Sequence, residues 1–329
     1  MGQAVPSRGL TVGVVLGCAL FCAPLRLWGG EEEQAREILA ASGVQGGLIV
    51  HVGCGNGVLT SALRANDRYL VHGLDQDPKH VEAARQQIQS LGLYGGVSVA
   101  SWDGRRLPYI ENFVNLIVVS GDCRVDRDEI LRVLAPNGVA MAGGQKTVKP
   151  WPKEIDEWTH YLHDPSNNAV AHDQAIDFLK RMQWIAGPRY SRHHDHMSGA
   201  SAMVSAQGRV FYIFEEAPRA SILIPPQWYL YARDAFNGTL LWKRPIPRWH
   251  EHMWPLKSGP AVLPRRLVAI GDKLYTTLNI DAPLAELDAA TGKTLRTYEG
   301  TAVTEEILFS EGVLFAVVAD AKSLRSDPK

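Results

Sequence analysis

The stretch Leu48 to Gly57, LIVHVGCGNG, concentrates residues able to do chemistry. An apolar run ends in three alternating glycines, Gly53, Gly55 and Gly57, as when a buried strand breaks into a tight loop before a helix. Glycines there let backbone amides approach a ligand that a Cβ would hold off. His51 and Cys54 lie in the same stretch, and Asp75 ends a second apolar run, YLVHGLD. Its two carboxylate oxygens are acceptors suited to a diol. Trp102 and Asp103 follow a third run. Asp122 follows a fourth, where a carboxylate can serve as a base. A dinucleotide fingerprint would need its third glycine at position 58, which is Val58.

Histidines form the other constellation. SRHHDHMSG holds His193, His194, Asp195 and His196, while His160, His163, His172, His250 and His252 lie elsewhere. Imidazole with carboxylate suits zinc, copper or iron. Neighbouring residues of a strand point to opposite faces, so His193, Asp195 and His196 can share an ion only if a loop folds them together. A polar loop without metal is the plainer expectation. Four cysteines include no C-x-x-C pair and make no disulfide framework. Cys54 and Cys123 are expected near each other, just past the ends of neighbouring strands.

The elements that position these residues can be read in order. Across 329 residues the net charge is −1, which argues against nucleic-acid binding. Residues 1–30 read as a signal peptide or N-terminal anchor: Arg8 precedes an apolar stretch, residues 10–25, shorter than the ~20 residues that span a bilayer. Export to the envelope, or membrane association through that stretch, is the expectation, with a cytoplasmic location as the alternative. Residues 31–144 alternate helix and strand: helices over 31–42, 59–66, 78–91 and from Arg127 to Gly138, strands over 47–52, 69–75, 97–101 and 115–120 and at VAMAGG. This predicts an α/β, Rossmann-like, doubly wound parallel sheet, with ligands beyond the carboxyl ends of the strands.

Residues 145–156, with Pro150 and Pro152, read as a linker. Residues 157–329 then turn all-β and repetitive. YLYARDAFNGTLLWKRPI (229–246) aligns with LAELDAATGKTLRTYEG (284–300), and SAQGRVFYIF, AIGDKLYTTL and FSEGVLFAVV correspond upstream. Asp234 and Asp288 can bond turn amides, and Trp242 can pack between neighbouring sheets. Repeated four-stranded units of this kind build propeller blades. The turn signature occurs twice and a third unit opens at Glu305, so the propeller is expected to be incomplete, an open arc with its ends uncovered.

The G-x-G-x-G loop, Asp75, the Trp102-Asp103 pair and EILRVLAPNGVAMAGG, in that order, resemble the class I S-adenosylmethionine-dependent methyltransferases over about residues 34–144. The resemblance implies S-adenosylmethionine as cofactor. It would be held by the loop with His51, Gly53, Cys54, Gly55 and Gly57, by Asp75 at the ribose, and by Trp102 and Asp103 at the adenine. The family usually carries an acid where His51 stands and often another at Asn115. The repeats resemble the pyrroloquinoline-quinone (PQQ)-like propeller, with EWTHYLHDPSNNAVAHD (157–173) as its opening strand through Trp158, Asp164 and Asn167. The whole chain resembles bacterial proteins of planctomycete type that fuse the two. Quinone-binding members use a vicinal cysteine pair and calcium; no adjacent cysteines occur here, so PQQ itself is not expected. The resemblance implies a methyltransferase of unknown acceptor whose propeller binds a substrate or partner. A non-enzymatic envelope scaffold and a quinone-dependent dehydrogenase are the alternatives.

Overall fold

The computed structural model describes residues 29–175, 178, 182–187, 199–218, 220–221, 223–250 and 261–319. The apolar stretch 10–25 and the candidate ligands His193, Asp195 and His196 lie outside the described residues. Among the described residues no helix is long and apolar enough to cross a membrane.

The first domain comprises α1 (Gly29–Ser42), β1 (Gly47–Val52), α2 (Val58–Ala62), β2 (Tyr69–Asp75), α3 (Pro78–Ser90), β3 (Val97–Ser101), β4 (Val114–Val119), α4 (Arg127–Val133), β5 (Leu134–Ala142) and β6 (Gln145–Val148). Its sheet runs β3-β2-β1-β4-β5-β6. The first five strands are parallel and β6 is antiparallel to β5. Every residue of β1 is buried, which is why it reads as a continuous apolar run. Leu48, Val50 and Val52 face one core with Leu107 and with Ile130 and Val133 of α4. Ile49 faces the other, with Leu59 of α2 and Val81, Ala84 and Ile88 of α3. Asp77 caps α3 by accepting from Lys79 N (2.8 Å), and Asp126 caps α4 by accepting from Asp128 N (2.8 Å).

Three boundaries differ from expectation. The segment read as a linker from residue 145 opens with β6, joined to β5 through Gly143 and Gly144, both at positive φ. The α2 helix stops at Ala62. The last helix ends at Val133, because Pro136 and Gly138 lie in a bulge of β5: Val114 pairs with Leu134, but Leu116 already pairs with Val139.

Beyond lie two antiparallel four-stranded sheets and a hairpin. The first sheet comprises β7 (Ala200–Ala206), β8 (Arg209–Glu215), β9 (Trp228–Asp234) and β10 (Leu240–Ile246). The second comprises β11 (Leu267–Ile270), β12 (Lys273–Thr277), β13 (Leu284–Asp288) and β14 (Thr294–Thr297), and the hairpin β15 (Thr304–Ser310) and β16 (Val313–Val318). The sequence repeat is a structural one. Asp234 accepts from Phe236 N and Asn237 N, both at 2.9 Å, and Asp288 accepts from Thr291 N at 2.7 Å. The turn glycines Gly238 and Gly292 have φ of 73° and 70°. Each is the seat of an indole, since a Cβ on Gly292 would lie 2.7 Å from the Trp242 ring and one on Gly238 2.6 Å from Trp184. Both indoles donate 2.9 Å bonds to the turn, Trp242 to Ala289 O and Trp184 to Ala235 O.

The segment expected to open the first blade, around Trp158, forms no strand of that kind. It runs across the first strands of all three sheets. Trp158 exchanges bonds with Ser205 of β7, Thr159 O accepts from Ala269 N of β11 (3.0 Å), and His160 Nε2 accepts from Phe309 N of β15 (3.1 Å). Among the described residues the sheets form no closed ring.

The two parts of the chain meet at Asn115. Its Oδ1 accepts from Leu48 N and Asn237 Nδ2, and its Nδ2 donates to Asp234 Oδ2, all at 2.7 Å. Burial pushes the Asp234 carboxyl up from its ordinary range. An acid at position 115 would therefore face a buried carboxyl. Asn115→Asp should lower stability by about 1–3 kcal/mol. The loss should be smaller at pH 5 than at pH 8, because only the protonated form of the introduced carboxyl could replace the amide as a donor. Urea midpoints at the two pH values measure both effects.

Candidate functional site

The three loop glycines all adopt left-handed backbone, with φ of 79°, 52° and 81°, for different reasons. A Cβ on Gly53 would sit 2.5 Å from Ser120 O, just past β4. One on Gly57 would sit 2.8 Å from Ala84 Cα, so this glycine lets α2 start against α3. Among the described residues nothing lies within 4 Å of a Cβ placed on Gly55, at the carboxyl ends of the strands. Two of the glycines serve packing, and one is available to a ligand.

Asp75 ties this loop to β2. Its Oδ2 accepts from Gly55 N (2.9 Å), and its Oδ1 accepts from Asp77 N (3.0 Å) and faces His80 Nδ1 (3.1 Å). Burial raises its pKa, but the amides of Asp77 and Gly55 and the His80 ring outweigh burial and hold it below the usual carboxylate range. Asp75 thus presents an anion beside the open glycine. His80, half exposed on α3, is a site residue that the sequence reading missed; its signal is a histidine one helical turn after an N-capping Asp77.

Other expected ligand residues are placed differently. His51 is 1% exposed, with Nδ1 2.7 Å from Thr60 Oγ1 and Nε2 2.9 Å from Ser120 Oγ. Burial, against the weaker pull of Asp75, lowers its pKa to about 4. Strand alternation turns this neutral ring toward α2, where it braces the loop and makes no surface for a ligand. The Trp102 indole is likewise turned into the core beside Leu107 and donates to Arg106 O (3.0 Å). Only Asp103 of that pair is exposed.

Cys54 is buried and Cys123 half-buried, both free thiols. Burial first, and then the nearby Asp75, pushes both up, Cys54 to about 12. Cys123 Sγ lies 3.0 Å from where a Gly53 Cβ would be. Asp122 is exposed on an open cleft of about 620 Å³ lined also by Val119, Cys123, Arg124, Ala142 and Gln145. A smaller crevice of about 200 Å³, with Asn115, Arg209 and Asp234, follows the domain seam at the opposite end of the strands.

Residues 49–138 match a family model described as a methyltransferase domain. Solved structures resemble about a third of the chain. A Methanococcus maripaludis protein assigned as an S-adenosyl-L-methionine-dependent methyltransferase is 25% identical, with a TM-score of 0.32, over 33% of this chain and 53% of its own. An Aquifex aeolicus SAM-dependent methyltransferase is 21% identical, with a TM-score of 0.30, over 32% and 61%. Geranyl diphosphate C-methyltransferase from Streptomyces coelicolor, solved with Mg²⁺, geranyl diphosphate and S-adenosyl-L-homocysteine, is 19% identical, with a TM-score of 0.31, over 33% and 44%. The chain spans about half the length of these structures. No curated protein matches it. The family match on a doubly wound sheet makes the first domain methyltransferase-like.

The buried histidines set a pH dependence. His51 and His160 both have pKa values lowered to about 4, burial being the largest cause. Below pH 6.5 the unfolded chain binds protons that the folded one refuses, so stability is full above 6.5 and falls as pH drops toward 4. Each histidine contributes about 1.4 kcal/mol per pH unit to that slope. His51→Gln should remove one such contribution, read as a flatter dependence of unfolding free energy on pH between 6.5 and 4.5. Parallel slopes for parent and variant would contradict it.

Proposed function

We propose that the chain is an S-adenosylmethionine-dependent methyltransferase whose cofactor site lies across Gly55 and Asp75. The observation that carries this reading is the open, left-handed Gly55 bonded to an ionised Asp75 at the carboxyl ends of β1 and β2. The methyltransferase family match over the same residues supports it. A cradle without a Cβ and a carboxylate able to accept from two hydroxyls fit the group. When bound, S-adenosylmethionine supplies an electrophilic methyl group. The chain's part is positional: Asp75 accepts the ribose hydroxyls, Gly55 admits the methionine portion, and Asp103 lies at the adenine rim. An acceptor entering the cleft beside the β4 and β5 ends would meet Asp122 as a base. The repeated sheets, read as an open PQQ-like propeller, present a substrate or partner, and the apolar residues 10–25 support export or a membrane-held N-terminus.

A second reading, a binding protein on a methyltransferase scaffold, is favoured by His51, whose buried neutral ring supplies no charge near the cofactor's cationic end. Calorimetry of the full chain with S-adenosylmethionine separates the two. The first reading expects saturable binding that Asp75→Ala weakens by about 10- to 150-fold, the scale of hydrogen bonds to a charged group. An absence of heat at millimolar cofactor with the folded parent would leave only the second.

A further inference from the structure

The segment that follows the first domain folds three potential ligands together. Asp156, His163 and His172 each offer one ligand atom, and these atoms all lie within 4.8 Å of one another. Asp156 organises the group: its Oδ2 is 2.7 Å from His163 Nε2 and accepts from His172 N at 2.6 Å. The two imidazoles stand edge to face, with centroids 5.1 Å apart, and Trp158 covers His163 at 5.3 Å. His163 O is pinned by His160 N (3.1 Å) and Thr159 Oγ1 (3.2 Å), on the segment that crosses all three sheets.

Two features of His163 bear on a ligand. It is a non-glycine residue at φ 74°, a backbone state that persists only where its surroundings impose it. Its side chain is 4% exposed, and among the described residues Nδ1 makes no well-aligned hydrogen bond but faces Asp164 Oδ2 at 3.3 Å. Both ring nitrogens face carboxylates, Nε2 that of Asp156 and Nδ1 that of Asp164. An ion could take the place of the proton between Nε2 and Asp156. The proton would then reside on Nδ1 and point at Asp164, the outer carboxylate that metal-bound histidines usually have.

We propose that Asp156, His163 and His172 bind a divalent transition ion of the zinc class, with Asp164 as the outer partner of His163. Two imidazoles and a carboxylate suit such an ion, and the exposed His172 leaves a fourth position open to solvent. Binding displaces the proton between His163 Nε2 and Asp156 Oδ2 and requires these atoms to part by a few tenths of an ångström. The site lies in the second part of the chain and is independent of the methyltransferase reading.

The test uses the full chain, stripped with a chelator and titrated with zinc chloride, with bound metal counted after desalting. The parent should hold a zinc ion at this site. The exposed His172→Ala should lose it or weaken it at least tenfold, and Asp164→Asn should weaken it by about 10- to 100-fold. Circular dichroism checks that both variants are folded; His163→Ala is avoided because that side chain is buried. With cobalt in place of zinc, the visible band of the parent should be altered in His172→Ala. Retention of no zinc by the folded parent would overturn the proposal. So would undiminished binding in both variants, which would place the ion among other histidines.

Discussion

The Asp75 carboxylate is the point on which the first domain turns. Its two oxygens hold the amide of Gly55 from the loop after β1 and that of Asp77 at the start of α3, and meet the ring of His80. One anion therefore sets the spacing between the first two strands' ends and the beginning of the next helix. It acts together with the backbone, since Gly53 N and Cys54 N also bond Leu74 O of β2 (2.8 and 3.2 Å). The amides that keep the carboxylate ionised are the same ones that fix the loop, so charge and geometry have one origin.

A second constraint joins this domain to the sheets that follow. Asn115 stands at the start of β4, and its amide completes the turn of the first four-stranded unit through Asp234 and Asn237. This gives a physical reason for an amide rather than an acid there: the position faces a buried carboxyl. The departure at His51 has a comparable reason. A neutral imidazole between Thr60 and Ser120 can bond both neighbours inside a sealed space, where an unpaired carboxylate would be poorly solvated.

Much of the fold was legible where burial is continuous. β1, β2 and β3 have the bounds that their apolar runs indicate: β1 is buried throughout, while β2 and the edge strand β3 keep their buried positions in register with it. The glycine loop, Asp75 and the repeated Asp-to-Gly turns were legible because each depends on local backbone geometry. What eluded the sequence depends on direction or distance. Trp102 and His51 have the expected positions in the chain but point inward. The polar strand QKTV pairs only because β5 offers it an edge. Asn115 finds partners over a hundred residues away, and no spacing rule joins Asp156, His163 and His172.

The indoles seated on turn glycines have a consequence for how the sheets hold one another. Trp184 locks the first unit and Trp242 the second, each clamping the unit that follows it in the chain. In the corresponding place of the second unit stands Arg296, whose guanidinium lies over Tyr298 within its own sheet, 4.6 Å from the ring centroid. The β15–β16 hairpin is fastened by Ile307 and Phe309 packed against Val268 and Tyr275, by His160 from the crossing segment and by Arg265 to Glu306. The array behaves as a chain of unequal links, in which order passes from one sheet to the next through indoles seated on glycines and then through a smaller apolar patch without one. Loosening should therefore begin at the hairpin and travel backward, so that the crossing segment at Trp158, which touches all three sheets, is the last to let go.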